Sequence, residues 1–125
     1  MAEQAGAAGD VLLDLEQLRD NLGGADDATL VEVTAFFVTN VEPLIREAED
    51  YAAGRRSGDL LRVAHAAKGA ARNVCAPHLA DQLAHLENAA KAADWNAIDR
   101  LMPLVSECFR RVAERIVVAG KEDAR

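Results

Sequence analysis

Within the stretch RVAHAAKGAARNVCA, Arg62 to Ala76, the residues His65, Lys68 and Gly69 have the types and spacing for chemistry on a phosphoryl group. An imidazole accepts such a group near neutral pH because its ordinary pKa of about 6.5 leaves a ring-nitrogen lone pair free. The resulting phosphoramidate on a cationic ring is a high-energy bond, so the group can be passed onward without a nucleotide. Lys68, one helical turn after His65, can set an ammonium beside the incoming oxygens and offset their charge. Gly69 asks for a reason, since a glycine inside a helix costs about 1 kcal/mol relative to alanine. It falls within about 40° of His65 around a helix, on the side away from the apolar residues. Clearance for a bulky group approaching the imidazole is therefore expected, rather than close helix packing.

The element that must position these residues is an amphipathic helix. At about 100° per residue, Arg62, His65, Lys68, Gly69 and Arg72 occupy about one third of its circumference, and Leu61 is the apolar residue among them. The opposite side carries Leu60, Val63, Ala67, Ala70, Ala71 and Val74 and is wholly apolar. Such a helix buries its alanine side and turns the histidine towards water or a partner.

The remaining elements follow the same 3.6 period. Residues 1–10 read as a flexible lead, 11–119 as one helical domain and 120–125 as a tail. A short helix is expected over VLLDLEQLRDNL, with Leu15, Leu18 and Leu22 on one side and Gly23 and Gly24 closing it. A long helix from about Ala28 to Ala53 carries the stripe Leu30, Val33, Thr34, Phe37, Val41, Leu44, Ala48, Tyr51 and Ala52, with Phe36 off it and Gly54 at its end. Pro43 inside it predicts a kink near Thr39 to Pro43. Arg55 to Gly58 is a turn, and Asp59 is expected to cap the histidine helix. Pro77 opens the next helix at its preferred first position, burying Leu79, Leu83, Leu86 and Ala90 and exposing Asp81, His85 and Asn88. The last helix starts at the cap Asp94 and runs to about Val118 with Ile98, Leu101, Met102, Val105, Cys108, Phe109, Val112 and Ile116 inward and Pro103 outward. Strand character is confined to Val11 to Leu13. The fold class expected is all-α: an antiparallel four-helix bundle with an additional short N-terminal helix.

Composition narrows the function. The 125 residues carry a net charge of −7 and a pI near 4.9, which disfavours nucleic acid as a partner. Yet between Leu60 and Ala80 there is no Asp or Glu, while Arg62, Lys68 and Arg72 add three positive charges. Such an island invites an anion. Cys75 and Cys108 lack metal or C-x-x-C spacing, which fits a reducing cytoplasm. The start MAEQAGAAGD has no signal-peptide pattern, and no apolar run reaches bilayer length, so a cytoplasmic protein away from membranes is expected. No G-x-x-x-x-G-K-S/T, no G-x-G-x-x-G and no acidic Mg²⁺ cluster is present, so no ATP-dependent kinase activity of its own is expected.

These residues resemble the histidine-containing phosphotransfer (HPt) domains of phosphorelays over roughly residues 11–118. AHAAKGAARNVCA is similar to the family's A-H-x-L-K-G core, and LADQLAHLENAA to its downstream segment with an L-E pair. The resemblance implies that His65 is the phosphoacceptor through Nε2, Lys68 its charge partner and Gly69 the clearance residue. It places Glu87 where members carry a Glu or Gln that hydrogen-bonds the ring, and Lys91 at a frequent basic position. Two positions depart from the pattern: Ala67 replaces a leucine on the core side, and Cys75 replaces a glycine at the helix end. If that end needs φ > 0, either Cys75 is strained or Asn73 takes the left-handed conformation.

The implied function is phosphoryl carriage between aspartates on receiver domains of response regulators or hybrid histidine kinases, by a self-standing monomer. Mg²⁺ is expected on the receiver, with no cofactor in this chain. Docking is expected to use Leu61 and Ala66, with Leu15 or Leu18 from the short helix and Phe36 as a further addition. Arg62, Lys68, Arg72 and Lys91 would draw in an acidic receiver pocket. Three alternatives stand beside this. A helical adaptor could sequester a receiver or other partner without phosphate. His78, Asp81 and His85 share a helix face, although the first and third are about 10 Å apart, too far for one metal ion. A kinase dimerisation helix would normally have an acidic residue after the histidine and a proline a turn later, where this chain has Ala66 and Ala70.

Overall fold

The stretches with period 3.6 are helical in the computed structural model, which describes residues 11–123 and the side chains of 11–116, except that the first helix starts at Leu15 and not at Val11. The helices are α1 (Leu15–Asn21), α2 (Asp27–Ala53), α3 (Ser57–Asn73), α4 (Pro77–Lys91) and α5 (Trp95–Asp123), with no strand among the described residues. The expected flexible lead at 1–10 lies outside the described residues. At the other end, the helical backbone continues to Asp123, past the expected end near Val118 and into the expected tail.

Local chemistry sets most boundaries. Asp14 accepts from the Gln17 amide at 3.0 Å, Asp26 from Thr29 at 2.8 Å and Asp94 from Ala97 at 3.1 Å, so α1, α2 and α5 each start on an aspartate cap. Pro77 stands at the start of α4 as expected. The start of α3 differs from expectation. Asp59 does not cap it, because Ser57 and Gly58 are already helical and Arg56 occupies the cap position without a side-chain bond. Asp59 lies in the first turn and pairs with Arg56 and Arg62. The loop is held from farther away: Arg55, at φ 58°, bonds both oxygens of Asp99 and stacks over Trp95 at 4.9 Å, both on α5.

α2 packs on α3, α3 on α4, α4 on α5, and α5 returns to α2, while α1 lies against α2. The core centres on Leu79, Leu83 and Leu86 of α4, each wholly buried, with Leu60, Val63 and Ala71 of α3, Val41 of α2 and Ile98, Val105 and Val112 of α5. Ala64, Ala67 and Ala71 are buried on α3 and Ala80 and Ala90 on α4, so small side chains let these helices approach closely. Ala67 thus sits in the core, and its departure from leucine concerns packing volume.

The buried line of α2 runs Leu30, Thr34, Phe37, Val41, Ile45, Ala48 and Ala52. Ile45, absent from the expected stripe, is in it, while Val33, Leu44 and Tyr51 are only half-buried. The cause is that α2 meets both α3 and α5, with Phe37 and Phe109 6.1 Å apart at their ring centroids. The helix is continuous through exposed Pro43, whose missing N–H leaves the Thr39 carbonyl without its usual donor. By length and composition α2 also qualifies to cross a bilayer, contrary to the expectation that no run would; in this fold its apolar stripe faces other helices.

One irregular contact clamps the α3–α4 turn. The Asp14 amide donates to the Cys75 carbonyl at 2.8 Å and the His78 amide to the Val11 carbonyl at 3.2 Å, so residues 11–14 form a strap across 75–78. Inside that turn Cys75 has φ 60°, a left-handed conformation, and Asn73 is the last residue of the helix. Cys75 therefore carries the strain. The left-handed region costs a side-chain-bearing residue roughly 1–2 kcal/mol, offset only in part by the 3.4 Å contact from the Asn21 amide to its sulfur. Cys75→Gly should raise the urea midpoint of unfolding and Cys75→Val should lower it, with steps of about 1 kcal/mol each way; the order Gly, Cys, Val in measured stability checks the strain.

Candidate functional site

The apolar side of α3 is bound into the core, and that fixes what faces outward: Arg62, His65, Ala66, Gly69, Arg72 and Asn73 are exposed. His65 is the most open of the functional groups, with 70% of its side chain accessible. Its Nδ1 lies 2.7 Å from Oε2 of Glu87, which reaches across from α4. The other oxygen of the same carboxylate, Oε1, accepts from Lys68 Nζ at 2.5 Å. Lys68 and Glu87 are only 16% and 13% exposed, so this pair sits beneath the imidazole, sheltered from water.

The carboxylate is held charged. The Lys68 ammonium, and to a smaller degree the His65 ring, keep the Glu87 carboxyl below the usual range, against burial, which pushes it up. An ionised carboxylate beside Nδ1 can only accept, so in neutral His65 the proton belongs on Nδ1. Nε2 is then the nitrogen with a free lone pair. Glu87 and Lys68 are thus brought together with His65, but Lys68 is directed at Glu87 and not into open solvent.

Gly69 is as open as its position implied: a Cβ added there would meet no atom within 4 Å. Close packing does not account for this glycine. The basic island is weaker in space than in sequence. Glu87 takes Lys68, and Asp59 stands 3.6 Å from Arg62, which also reaches the Tyr51 hydroxyl at 3.5 Å. Arg72 and Lys91 remain exposed cations on α3 and α4.

The expected docking residues divide. Ala66 is exposed and Leu61 and Leu15 are half-buried, but Leu18 is 1% exposed and belongs to the core, where it cannot touch a partner. The helical spacing of α1 placed Leu15 and Leu18 alike; contact with the bundle takes Leu18 inward. Phe36, by contrast, is 71% exposed. It edges a groove of about 300 Å³ between α1, α2 and α3, with Leu22, Val33, Asn40, Ala70 and Asn73 along it and Leu18 in its lining. Leu22, Val33, Asn40 and Asn73 were not singled out as contact residues, although Val33, Phe36 and Asn40 recur at i, i+3 and i+7, the spacing of one helix face.

Neither thiol is placed for chemistry. Burial pushes Cys108 up to about 11, and burial followed by the charge of Asp14 pushes Cys75 up. On α4, His78 is half-buried and Asp81 and His85 are exposed, and no group of three or more His, Cys, Asp or Glu among the described residues is arranged to hold a metal ion.

An exposed imidazole on a rigid helix, backed by a carboxylate and flanked by a glycine, agrees with the family comparison. The Hpt domain model matches residues 8–115, and the chain belongs to that family, whose members carry phosphoryl groups in phosphorelays and interact with receiver domains. No curated protein and no solved structure matches the chain.

Because nothing crowds Gly69, Gly69→Ala is expected to fold and to stabilise α3 by about 1 kcal/mol, read as a rise in the urea midpoint. A fall in stability would mean that a close neighbour needs the missing side chain.

Proposed function

We propose that this protein carries a phosphoryl group on Nε2 of His65, receiving it from an aspartyl phosphate on one receiver domain and giving it to an aspartate on another. The observation that carries this reading is the Glu87 carboxylate 2.7 Å from Nδ1, which leaves Nε2 as the nucleophilic nitrogen on a side chain 70% exposed. In the forward step the Nε2 lone pair attacks phosphorus and the bond from phosphorus to the receiver's carboxylate oxygen breaks. Nδ1 keeps its proton, so the ring becomes a phospho-imidazolium, whose positive charge Glu87 stabilises. In the return step a receiver carboxylate attacks phosphorus, the P–N bond breaks and neutral imidazole leaves. No proton is gained or lost over the cycle, and no nucleotide enters it. Mg²⁺ belongs to the receiver, where it would offset charge on the acyl phosphate.

The helices that pair in a ring are read as an antiparallel four-helix bundle, with α1 added beside α2. Its stiffness is part of the function, since in-line transfer needs the acceptor nitrogen held in place. The receiver is proposed to dock over Ala66 and Leu61 and into the neutral groove edged by Phe36 and Leu22. Arg72 and Lys91 then favour approach of an acidic pocket. The protein acts as a monomer in the cytoplasm, where Cys75 and Cys108 stay free thiols.

Incubation with a phosphorylated receiver should produce an acid-labile phosphoryl group on the protein, absent in His65→Gln. Transfer that survives His65→Gln overturns the assignment. Gly69→Gln should lower the transfer rate by about 100-fold, as expected when the reacting atoms are held out of line, while the helical circular dichroism is unchanged. Receiver binding with no phosphoryl appearing on the wild type would favour the adaptor alternative.

The docking surface has its own check. Phe36→Asp should weaken receiver affinity by about tenfold or more, in line with loss of an exposed aromatic anchor. Titration calorimetry or fluorescence anisotropy against an unphosphorylated receiver measures it.

A further inference from the structure

One turn before His65, towards the start of α3, stands a cluster of two arginines, a tyrosine and an aspartate that phosphoryl transfer leaves without a role. Arg56 lies over the Tyr51 ring at 5.1 Å and pairs with Asp59. Arg62 reaches the Tyr51 hydroxyl at 3.5 Å and Asp59 Oδ1 at 3.6 Å. Both Arg62 contacts are longer than the roughly 2.7–3.2 Å of a good hydrogen bond, whereas Arg55 meets Asp99 at 2.8 and 3.1 Å. Arg62 is therefore oriented without being satisfied, and 62% of its side chain is exposed. We propose that Arg62 takes an acidic side chain of the incoming receiver, and that Asp59 competes with the receiver for it.

Position along α3 gives this contact its purpose. The groove edged by Phe36 takes Ala70 and Asn73 from α3, about 7.5 and 12 Å beyond His65 along the helix axis, and Arg62 stands about 4.5 Å before it. His65 thus lies between an uncharged groove and a guanidinium. A receiver held at the groove alone can still turn about that anchor, and a second contact on the far side of the imidazole limits the turn. In-line transfer depends on that alignment. Charge selects the occupant: Arg56, Asp59 and Arg62 together carry one net positive charge in a chain of −7, and a receiver must bring carboxylates to His65 because it supplies the reacting aspartate. Exposed ion pairs contribute little to stability, so Arg62 can leave Asp59 at small cost. Charges at the rim of an interface act mainly on the rate of association and on its dependence on salt. Asp59 is then a brake, which cancels one of the two guanidinium charges and offers Arg62 a carboxylate within the chain.

This inference rests on the proposed docking of a receiver, and stopped-flow association with an unphosphorylated receiver that binds the wild type tests it. Arg62→Gln should slow association by about threefold and flatten its dependence on salt, whereas Asp59→Asn should speed association by about threefold and steepen that dependence. The gain from Asp59→Asn should shrink when Arg62 is already replaced, in the double variant Asp59→Asn/Arg62→Gln. The opposite signs separate docking from damage to the fold. An acidic residue in the first turn favours a helix, so the urea midpoint of Asp59→Asn should not rise, and faster association cannot then come from a firmer α3. Arg100→Gln makes the same change of net charge at an exposed position on α5, across the bundle from α3, and should leave the rate nearly unchanged. Association of Asp59→Asn no faster than wild type, or slowing by Arg100→Gln equal to that by Arg62→Gln, overturns the inference. If His65 accepts a phosphoryl group while these variants associate at the wild-type rate, the phosphotransfer reading stands and the Arg62 contact falls. If the rates change as expected while His65 accepts none, the contact stands and phosphotransfer falls. A chain that binds no receiver overturns both.

Discussion

A single carboxylate shared by two side chains of one helix is the contact around which this structure is organised. For Glu87 to meet His65 Nδ1 at 2.7 Å and Lys68 Nζ at 2.5 Å, α4 must lie against α3 in one register. The alanines buried on both helices permit that close approach, and the buried leucines of α4 set the rotation that brings Glu87 round to α3. The rest of the fold holds this pair of helices: α2 and α5 cover their apolar faces, and the strap at 11–14 closes their connecting turn. A half-buried ion pair such as Lys68 and Glu87 is costly to desolvate and by itself is weak evidence of stability. Its consequence here is geometric: a carboxylate oxygen held 2.7 Å from Nδ1 of an otherwise exposed imidazole.

Much of this was legible in the chain itself. Period 3.6 located the helices, because one face of each must meet the core, and Gly54, Pro77 and the cap Asp94 mark several ends through local chemistry. His65 and Gly69 were also legible, since their exposure follows from the apolar side opposite them. Distances between helices were not legible. The Lys68–Glu87 pair joins residues nineteen apart in sequence, and no periodicity says which carboxylate will meet a given ammonium. Leu18 and Leu15 look equivalent along α1, and only the neighbouring helices separate core from surface. The mistaken cap at Asp59 has the same origin: the Arg55 loop is fixed by Asp99 and Trp95 on α5, so α3 begins earlier than its own residues indicate.

Charge behaves differently in three dimensions than along the chain. The stretch without acids from Leu60 to Ala80 looked like an anion-attracting island. In the fold, Glu87 and Asp59 approach it from α4 and from the first turn of α3, and they take up Lys68 and part of Arg62. What faces solvent beside His65 is a mixture of a few cations and a neutral groove. A partner docking at this face, as proposed, would meet shape and apolar contact first, with charge influencing the speed of encounter.

The strap has a consequence for where the molecule opens. Two backbone hydrogen bonds hold residues 11–14 across a turn that contains a strained, left-handed Cys75, and Leu13, Val74 and Ala76 beside it are buried in the core. Local opening begins where little is buried, so a turn tied to the core in this way exchanges its amides with the bundle and not ahead of it. From the helix end at Asn73 back to His65 runs about two turns of helix, packed on the core through Ala67 and Ala71. The strain at Cys75 is thus borne by the core that lies between, and the imidazole is mechanically insulated from it.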